Sequence, residues 1–417
     1  MNPGYVARQL GPTALRALST FPAVLVTGPR QSGKTTLLRH LLADSHRFVS
    51  LEQPFVRDQA KADPDAFLDL HPPPALLDEI QYVPELLHAI KDRVDSDRRP
   101  GLWALTGSQS FALMQGVSQT LAGRVAILDL LPLSVAEATH HHDASIDDVL
   151  NAVFEQHAAD RPTETAVDAT DWLLRGGYPE LRLQPGVDRT LWLSSYVQTY
   201  LQRDVRELVQ VGDLDQFARF VRFVAGRSGN LLNLEELGRE AGVTGPTARR
   251  WLSVLQASHL ALLLPPYHEN FGKRLRKGPK LHLLDPGLHT FLLGLHGAEP
   301  LRHGPSFGAV LESAVVGEWR KAFVHRGEPA EFFHWRSASG LEVDLVIERN
   351  QRLYGVEVKA TSAPRPEHAQ GLRKWLELAG PRARGVVACL VDRPAPLGGG
   401  IWAVPWWVGG GGGPDVS

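Results

Sequence analysis

At 417 residues the chain is too long for one domain of ordinary size, and about two to four are expected, each with its own core. Its 43% hydrophobic and 22% charged content excludes a disordered or fibrous chain, and 44 Lys and Arg against 46 Asp and Glu leave a net charge of −2 that argues neither for nor against a nucleic-acid partner. The single cysteine, Cys389, excludes an intramolecular disulfide, the N-terminus lacks a basic-then-apolar leader pattern, and apolar runs such as Leu260–Leu264 are too short for a membrane span, so a cytoplasmic protein with no membrane partner is expected.

Residues 1–135 alternate short apolar runs with helical patterns, which predicts a parallel α/β sheet. Strands are expected at Ala23–Thr27, Phe48–Leu51, Ala75–Leu77, Trp103–Thr106 and Val125–Leu128. Directly after the first, Gly28-Pro29-Arg30-Gln31-Ser32-Gly33-Lys34-Thr35 fits G-x-x-x-x-G-K-S/T in full, with a helical pattern from Thr36 to Leu42 behind it. Glycines let such a loop curl until its N–H groups converge on phosphate oxygens, and the helix adds its positive end. Lys34 is expected on the β- and γ-phosphates of ATP and the Thr35 hydroxyl on Mg²⁺, with Gly28 through Thr36 forming the cradle.

The run Ala75-Leu76-Leu77-Asp78-Glu79 is an apolar strand ending in two carboxylates. Strand C-termini of a parallel sheet gather beside the phosphate loop. Asp78 is therefore expected to hold Mg²⁺ through water, and Glu79 to act as general base on the attacking water. At the end of the next strand, Ser108, with Gln109 as second choice, either senses the γ-phosphate or belongs to an ordinary turn. Arg124 is either a finger reaching into a neighbouring subunit's site or a surface salt-bridge arginine.

Residues 136–225 read as a helical lid or linker, with a polar loop at His140–Asp148 and a helix around Trp192–Glu207. The run His140-His141-His142 is read as a solvated loop rather than a metal site, since no second ligand cluster accompanies it. Residues 226–300 read as two short helices and a β-hairpin. Leu234–Ala241 is amphipathic, Gly242–Gly245 turns, and Pro246 opens a helix to about Ser258, the spacing of a helix-turn-helix. Arg249 and Arg250 fall on the second helix. Lys273, Arg274, Arg276 and Lys277 fall between the hairpin runs Leu260–Leu264 and Lys280–Leu284. Such a helix and basic wing suit DNA phosphates; the alternative is a solvated hairpin tip on a protein–protein spacer.

Residues 301–408 return to α/β, with strands expected near Glu331–Trp335, Glu342–Ile347, Leu353–Lys359 and Val386–Val391. Period-two alternation puts Glu357 and Lys359 on one face, and Asp344 can sit on the neighbouring strand, with Glu312 on the preceding helical pattern Phe307–Phe323. Carboxylates so grouped can bind Mg²⁺ or Mn²⁺ and a lysine can stand by an attacking water. The alternative is an ordinary hairpin with a cross-strand Glu–Lys pair. Trp402, Trp406 and Trp407 read as a core cap, and Gly409–Ser417 as a disordered tail.

Taken in order, GPRQSGKT, LLDEIQ, LTGSQS, LAGR, LPLS, GGYPE (Gly176–Glu180) and Tyr196…Tyr200-Leu201-Gln202-Arg203-Asp204 resemble the prokaryotic AAA-type (AAA+/STAND-like) P-loop ATPases with a C-terminal domain of unknown function, up to about residue 405. The resemblance implies an AAA+ parallel-sheet core, a helical segment, a winged helix and a restriction-endonuclease-like C-terminal α/β domain. In it Glu312, Asp344, Glu357 and Lys359 would match the PD-(D/E)XK nuclease signature. It also implies a homo-oligomer such as a hexameric ring. The expected function is an ATP-hydrolysing ATPase acting on branched or free-ended DNA, with a metal-dependent nuclease domain. The alternative is an ATP-dependent switch or protein-remodelling ATPase whose C-terminal domain binds without cutting.

Overall fold

The computed structural model describes residues 5–108, 117, 120–141, 145–155, 167–200, 214–267 and 278–408. Five short strands, β1 (Ala23–Thr27), β2 (Arg47–Ser50), β3 (Ala75–Asp78), β4 (Trp103–Thr106) and β5 (Val125–Asp129), make an all-parallel sheet in the order β2-β3-β4-β1-β5. Every residue of β1, β3 and β4 is buried, as continuous apolar runs dictate for strands covered on both faces. Alternation divides them between two cores. Leu25, Leu77 and Leu105 meet Leu86, Ile90 and Val94, while Val24, Val26 and Leu76 meet Leu10, Leu37 and Leu38. The order brings the C-terminal ends of β1, β4 and β3 side by side, with β4 in the middle.

The middle of the chain forms three helices, Leu214–Arg227, Leu234–Ala241 and Gly245–Ala257, against an antiparallel sheet of β6 (Asn230–Leu231), β7 (Ala261–Leu264) and β8 (Lys280–Leu283), ordered β6-β8-β7. Asn233 caps the second helix through the Glu236 N–H, Gly242 ends it at φ 75, and Thr244 caps the third through the Thr247 N–H. Phe217, Phe220, Trp251, Leu255, Leu281 and Leu283 share its core.

The last part is a six-stranded mixed sheet of β9 (Glu331–Arg336), β10 (Glu342–Arg349), β11 (Arg352–Lys359), β12 (Ala383–Cys389), β13 (Ala395–Gly398) and β14 (Ile401–Pro405), ordered β13-β14-β12-β11-β10-β9. Pairs β11–β12 and β12–β14 are parallel and the others antiparallel. Asn350 and Gln351, at φ 49 and 63, close the β10–β11 hairpin in the two-residue manner that matches strand twist. The helix Phe307–Val324 packs on one face through Leu311, Val315 and Trp319, and the helix Gln370–Ala379 on the other through Leu372 and Trp375. The strand expected at Val386–Val391 begins three residues earlier, at Ala383. Trp402 lies in strand β14 and Trp406 is buried, so the tryptophan-bearing end belongs to the sheet and its core. No helix among the described residues is long and apolar enough to cross a membrane.

Candidate functional site

The loop after β1 is built around conformations that only certain residues accept. Gly28 sits at φ 141, and a Cβ there would fall 2.2 Å from the Leu130 carbonyl oxygen. Gly33, at φ 95, hands the chain to the helix Lys34–Leu41, whose first N–H groups lack intrahelical partners and face the loop. The buried Lys34 folds back over the loop, its Nζ donating to the carbonyl oxygens of Gly28 (3.2 Å) and Pro29 (2.8 Å).

The end of β3 stands against this loop. Thr35 Oγ1 donates to Asp78 Oδ1 at 2.6 Å. Thr106, at the end of β4, donates to the same oxygen at 2.6 Å and accepts the Glu79 N–H at 3.0 Å. Glu79 is held at φ 59, ψ 49, a left-handed conformation that costs a non-glycine residue about 1–3 kcal/mol, and its carboxylate accepts from the Gln81 amide. Thr106 therefore links both acids to the loop, a role the sequence reading did not assign. Ser108, two residues on, is buried, and its hydroxyl has no partner among the described residues. Gln109 lies outside them.

A cleft of about 1190 Å³ opens over the loop, bordered by Arg30, Lys34, Thr35, Thr36, Glu79 and, from elsewhere in the chain, Tyr5, Glu180 and Trp192. Tyr5 stacks on His40 with ring centroids 3.8 Å apart. Across the cleft Trp192 stacks on Tyr196 and donates to Glu180 Oε2 at 2.9 Å. GGYPE reaches the cleft because its glycines allow a tight crossing: a Cβ on Gly177 would lie 2.3 Å from the Leu133 carbonyl oxygen, and one on Gly176 2.3 Å from Asp285 Oδ1.

Beneath the loop runs a buried charged network, also missed from sequence. Arg8 donates to the Ser32 carbonyl (2.7 Å), the Leu131 carbonyl (2.7 Å) and Glu137 (3.1 and 3.2 Å). Burial alone would raise the pKa of Glu137, but Arg8 and then His325 outweigh it and hold the carboxyl well below its usual range. His325 Nε2 accepts the Leu131 N–H at 3.1 Å, which leaves the proton on Nδ1, 3.1 Å from Glu137 Oε2. Burial pushes the His325 pKa down, against the pull of Glu137.

Arg124 is engaged within its own chain. It grips Asp95 at 2.6 and 3.1 Å, and that hydrogen bonding holds the Asp95 carboxyl at about 2. Of its two sequence readings, the salt bridge is the one present. Arg249 and Arg250 are exposed on the helix Gly245–Ala257. Lys273, Arg274, Arg276 and Lys277, like His142, residues 201–204 and the tail 409–417, lie outside the described residues.

In the C-terminal sheet, Glu312, Asp344 and Glu357 do come together. The β9–β10 pairing shifts register between Val343 and Val346, a bulge that holds Asp344, and Asp344 Oδ2 accepts the Val358 N–H at 2.9 Å. Lys359 Nζ donates to Glu357 Oε1 at 2.6 Å, which puts the two on one face as the alternation requires. The expectation of a metal held by Glu312, Asp344 and Glu357 needs correction for this arrangement. Lys280, from β8, places its Nζ 2.9 Å from both Glu312 Oε1 and Asp344 Oδ1, supplying a cation between them. Among the described residues no group of three or more His, Cys, Asp or Glu side chains is disposed to hold a metal ion. Burial alone would lower the Lys280 pKa, but Asp344, Glu312 and Glu342 outweigh it and raise it. Burial, then Asp344, raises Glu312 well above the carboxylate range and pushes Glu357 up to about 8.

With this geometry in hand, the family comparisons divide the chain in three: residues 20–139 match an AAA domain, 167–299 the domain of unknown function DUF8612, and 307–408 the domain of unknown function DUF4143. An uncharacterized protein of Mycobacterium tuberculosis and one of Mycobacterium bovis are each 32% identical over 350 residues, covering 84% of this chain and 73% of theirs. The chain belongs to the family of these mycobacterial proteins. Its AAA domain makes it an AAA-type P-loop protein and supports ATP binding. Among solved structures, a Walker-type ATPase of Pyrococcus abyssi resembles it at 15% identity and a TM-score of 0.40, over 68% of this chain and 94% of that one.

Proposed function

We propose that the chain binds ATP with Mg²⁺ in the cleft over Gly28–Thr36 and hydrolyses it. The observation that carries this reading is the chain of hydrogen bonds Thr35–Asp78–Thr106–Glu79, which sets a hydroxyl, a carboxylate and a second carboxylate in fixed relation beside the loop. Lys34 exchanges its two loop carbonyls for phosphate oxygens. Thr35 and Asp78 are the residues that would hold a magnesium ion, which would supply charge neutralisation for the phosphates. Glu79, fixed through its backbone by Thr106, orients and deprotonates the attacking water, and Ser108 offers its unpartnered hydroxyl to the same region. The stack of Tyr5 on His40 offers an aromatic wall to the base.

The test is direct. Lys34→Ala is expected to abolish binding of a fluorescent ATP analogue. Glu79→Gln is expected to keep that binding and slow turnover by about 10²-fold or more, the scale of a lost general base. An unchanged turnover rate in Glu79→Gln would remove Glu79 from this role.

DNA is the partner we propose for this ATPase, on the strength of the exposed Arg249 and Arg250 on the helix Gly245–Ala257 of a winged-helix-like arrangement. Turnover measured with and without single-stranded, duplex and four-way-junction DNA tests it, and light scattering with and without ATP tests the homo-oligomer. For the C-terminal domain, cutting by Asp344, Glu357 and Lys359 with Mg²⁺ or Mn²⁺ is one reading. The ammonium of Lys280 between Glu312 and Asp344 favours the second, an ATP-dependent switch whose C-terminal domain binds without cutting. Incubation of junction, flap and linear DNA with either ion separates them.

A further inference from the structure

The cleft over the phosphate loop has a second wall, supplied by the part of the chain that matches DUF8612. The helix Arg189–Tyr200 turns Trp192, Ser195, Tyr196 and Thr199 toward it, the i, i+3, i+4 and i+7 positions of one helix face. A face that only packs on a core is aliphatic at such positions, whereas this one carries two rings and the hydroxyls of Ser195 and Thr199. Beside it the short helix Pro179–Leu183 brings the half-buried Glu180 to the same cleft.

The wall is held in place by its own contacts. Tyr178 Oη donates to Tyr196 Oη at 2.9 Å, the Tyr178 ring lies 5.2 Å from that of Trp192, and Trp192 and Tyr196 stack with their planes 8° apart. Trp192 Nε1 donates to Glu180 Oε2 at 2.9 Å. An indole N–H only donates, so this bond settles which carboxylate oxygen is taken. The other, Oε1, takes no hydrogen bond among the described residues. An ionised carboxylate only accepts, so a ligand that uses Oε1 brings a donor to it.

Which part of a nucleotide that donor belongs to follows from the neighbour of Glu180. A Cβ on Gly33 would stand 3.8 Å from Pro179 Cγ, so this helix starts against the phosphate loop. Phosphate oxygens are themselves anionic acceptors and do not suit a carboxylate. The base is the far end of the nucleotide and has the stack of Tyr5 on His40 for its wall. Between phosphates and base lies the ribose, whose hydroxyls are donors matched to a carboxylate.

We propose that Glu180 is a specificity-determining residue of the nucleotide site: its carboxylate, oriented by Trp192, accepts from the ribose hydroxyls and makes the site select ribonucleotides over deoxyribonucleotides. The inference rests on the reading of the cleft as an ATP site and adds to it which sugar is taken.

The experiment measures, by isothermal titration calorimetry on the full chain with Mg²⁺, the affinities for ADP, 2′-deoxy-ADP and 3′-deoxy-ADP. The wild type is expected to bind ADP about tenfold or more tighter than at least one deoxy analogue, the scale of one lost hydrogen bond to a charged group. In Glu180→Gln the side-chain oxygen stays with the Trp192 N–H and the amide NH₂ is left to the cleft; in Glu180→Ala no acceptor remains. Both variants are expected to bring the ratio to within about twofold, by weakening ADP while leaving that deoxy analogue nearly unchanged. Variants that weaken all three nucleotides alike, variants that keep the wild-type ratio, or a wild type that binds all three equally would each overturn the proposal. Lys34→Ala is expected to lose all three together. A wild type that binds none of them removes the ATP reading, and this inference with it, whereas equal binding of all three leaves that reading standing. Circular dichroism checks folding. Should neither Glu180 variant fold, Trp192→Phe, which keeps a ring and removes the Nε1 donor, is measured in their place, with the same narrowing of the ratio expected. Loss of folding in all three makes Glu180 a structural partner of Trp192 alone and also overturns it.

Discussion

Thr106 is the residue on which the arrangement at the end of β3 turns. It donates to Asp78 and accepts from the Glu79 backbone, so it fixes the distance between the two acids and pins the left-handed turn of Glu79. Thr106→Val keeps the shape and removes the hydroxyl. The Glu79 N–H then loses its acceptor and Asp78 a donor, changes worth about 1–3 kcal/mol each when buried. We expect kcat to fall by about tenfold or more while nucleotide affinity stays within about twofold, a split that steady-state kinetics and equilibrium binding read separately. The sequence reading singled out Ser108, two residues beyond Thr106 on the same strand end. LTGS offers Thr106 and Ser108, and choosing between them requires knowing that β4 lies between β1 and β3, which chain order does not state. The phosphate loop was legible because glycine, lysine and threonine have no other reason to occur at that spacing after a buried strand. Arg8, Glu137, His325 and Lys280 carried no such signal, because each is defined by partners more than a hundred residues away or in another module.

At the scale of elements, period and punctuation located the pieces well where the burial was one-sided or complete. All five strands of the parallel sheet lie within a residue of where their apolar runs place them. The short strands β13 and β14 were not legible, since a proline in one and a proline at the end of the other broke the pattern. The helix pair Leu234–Ala241 and Gly245–Ala257 was legible from its caps, and it carries a prediction of its own. If Arg249 and Arg250 meet DNA phosphates, Arg249→Gln/Arg250→Gln is expected to weaken binding across all sequences and to shallow the slope of log affinity against log salt by about 2. Fluorescence anisotropy at several salt concentrations checks it. An unaltered slope would assign the helix to protein contacts.

Across the whole molecule, the Glu137–His325 pair makes stability depend on pH in one direction. His325 has its folded pKa lowered from 6.5, so below that pH the unfolded chain takes a proton that the folded chain refuses, and stability falls as pH falls. Glu137 has its folded pKa lowered from 4.5, so its contribution is complete above that value and is lost as pH falls further. Both act the same way, and acid weakens the joint between the AAA domain and the helix Phe307–Val324. His325→Gln is expected to be less stable than wild type at pH 7.5, with the gap narrowing towards pH 5, as read from urea midpoints across that range. A gap that is constant with pH would separate His325 from this dependence.

The same helix has a mechanical meaning. It is a rod of roughly 27 Å at 1.5 Å per residue, with Glu312 in its second turn and His325 just beyond its last. One tip touches the Lys280 ammonium, and the other reaches the phosphate loop through Glu137, Arg8 and the Ser32 carbonyl. Sliding or tilting that rod displaces both tips together. The helix and the bonds at its two ends therefore form one continuous run of contacts from the phosphate loop to the acidic cluster, a run that does not include the helix pair Leu234–Ala241 and Gly245–Ala257.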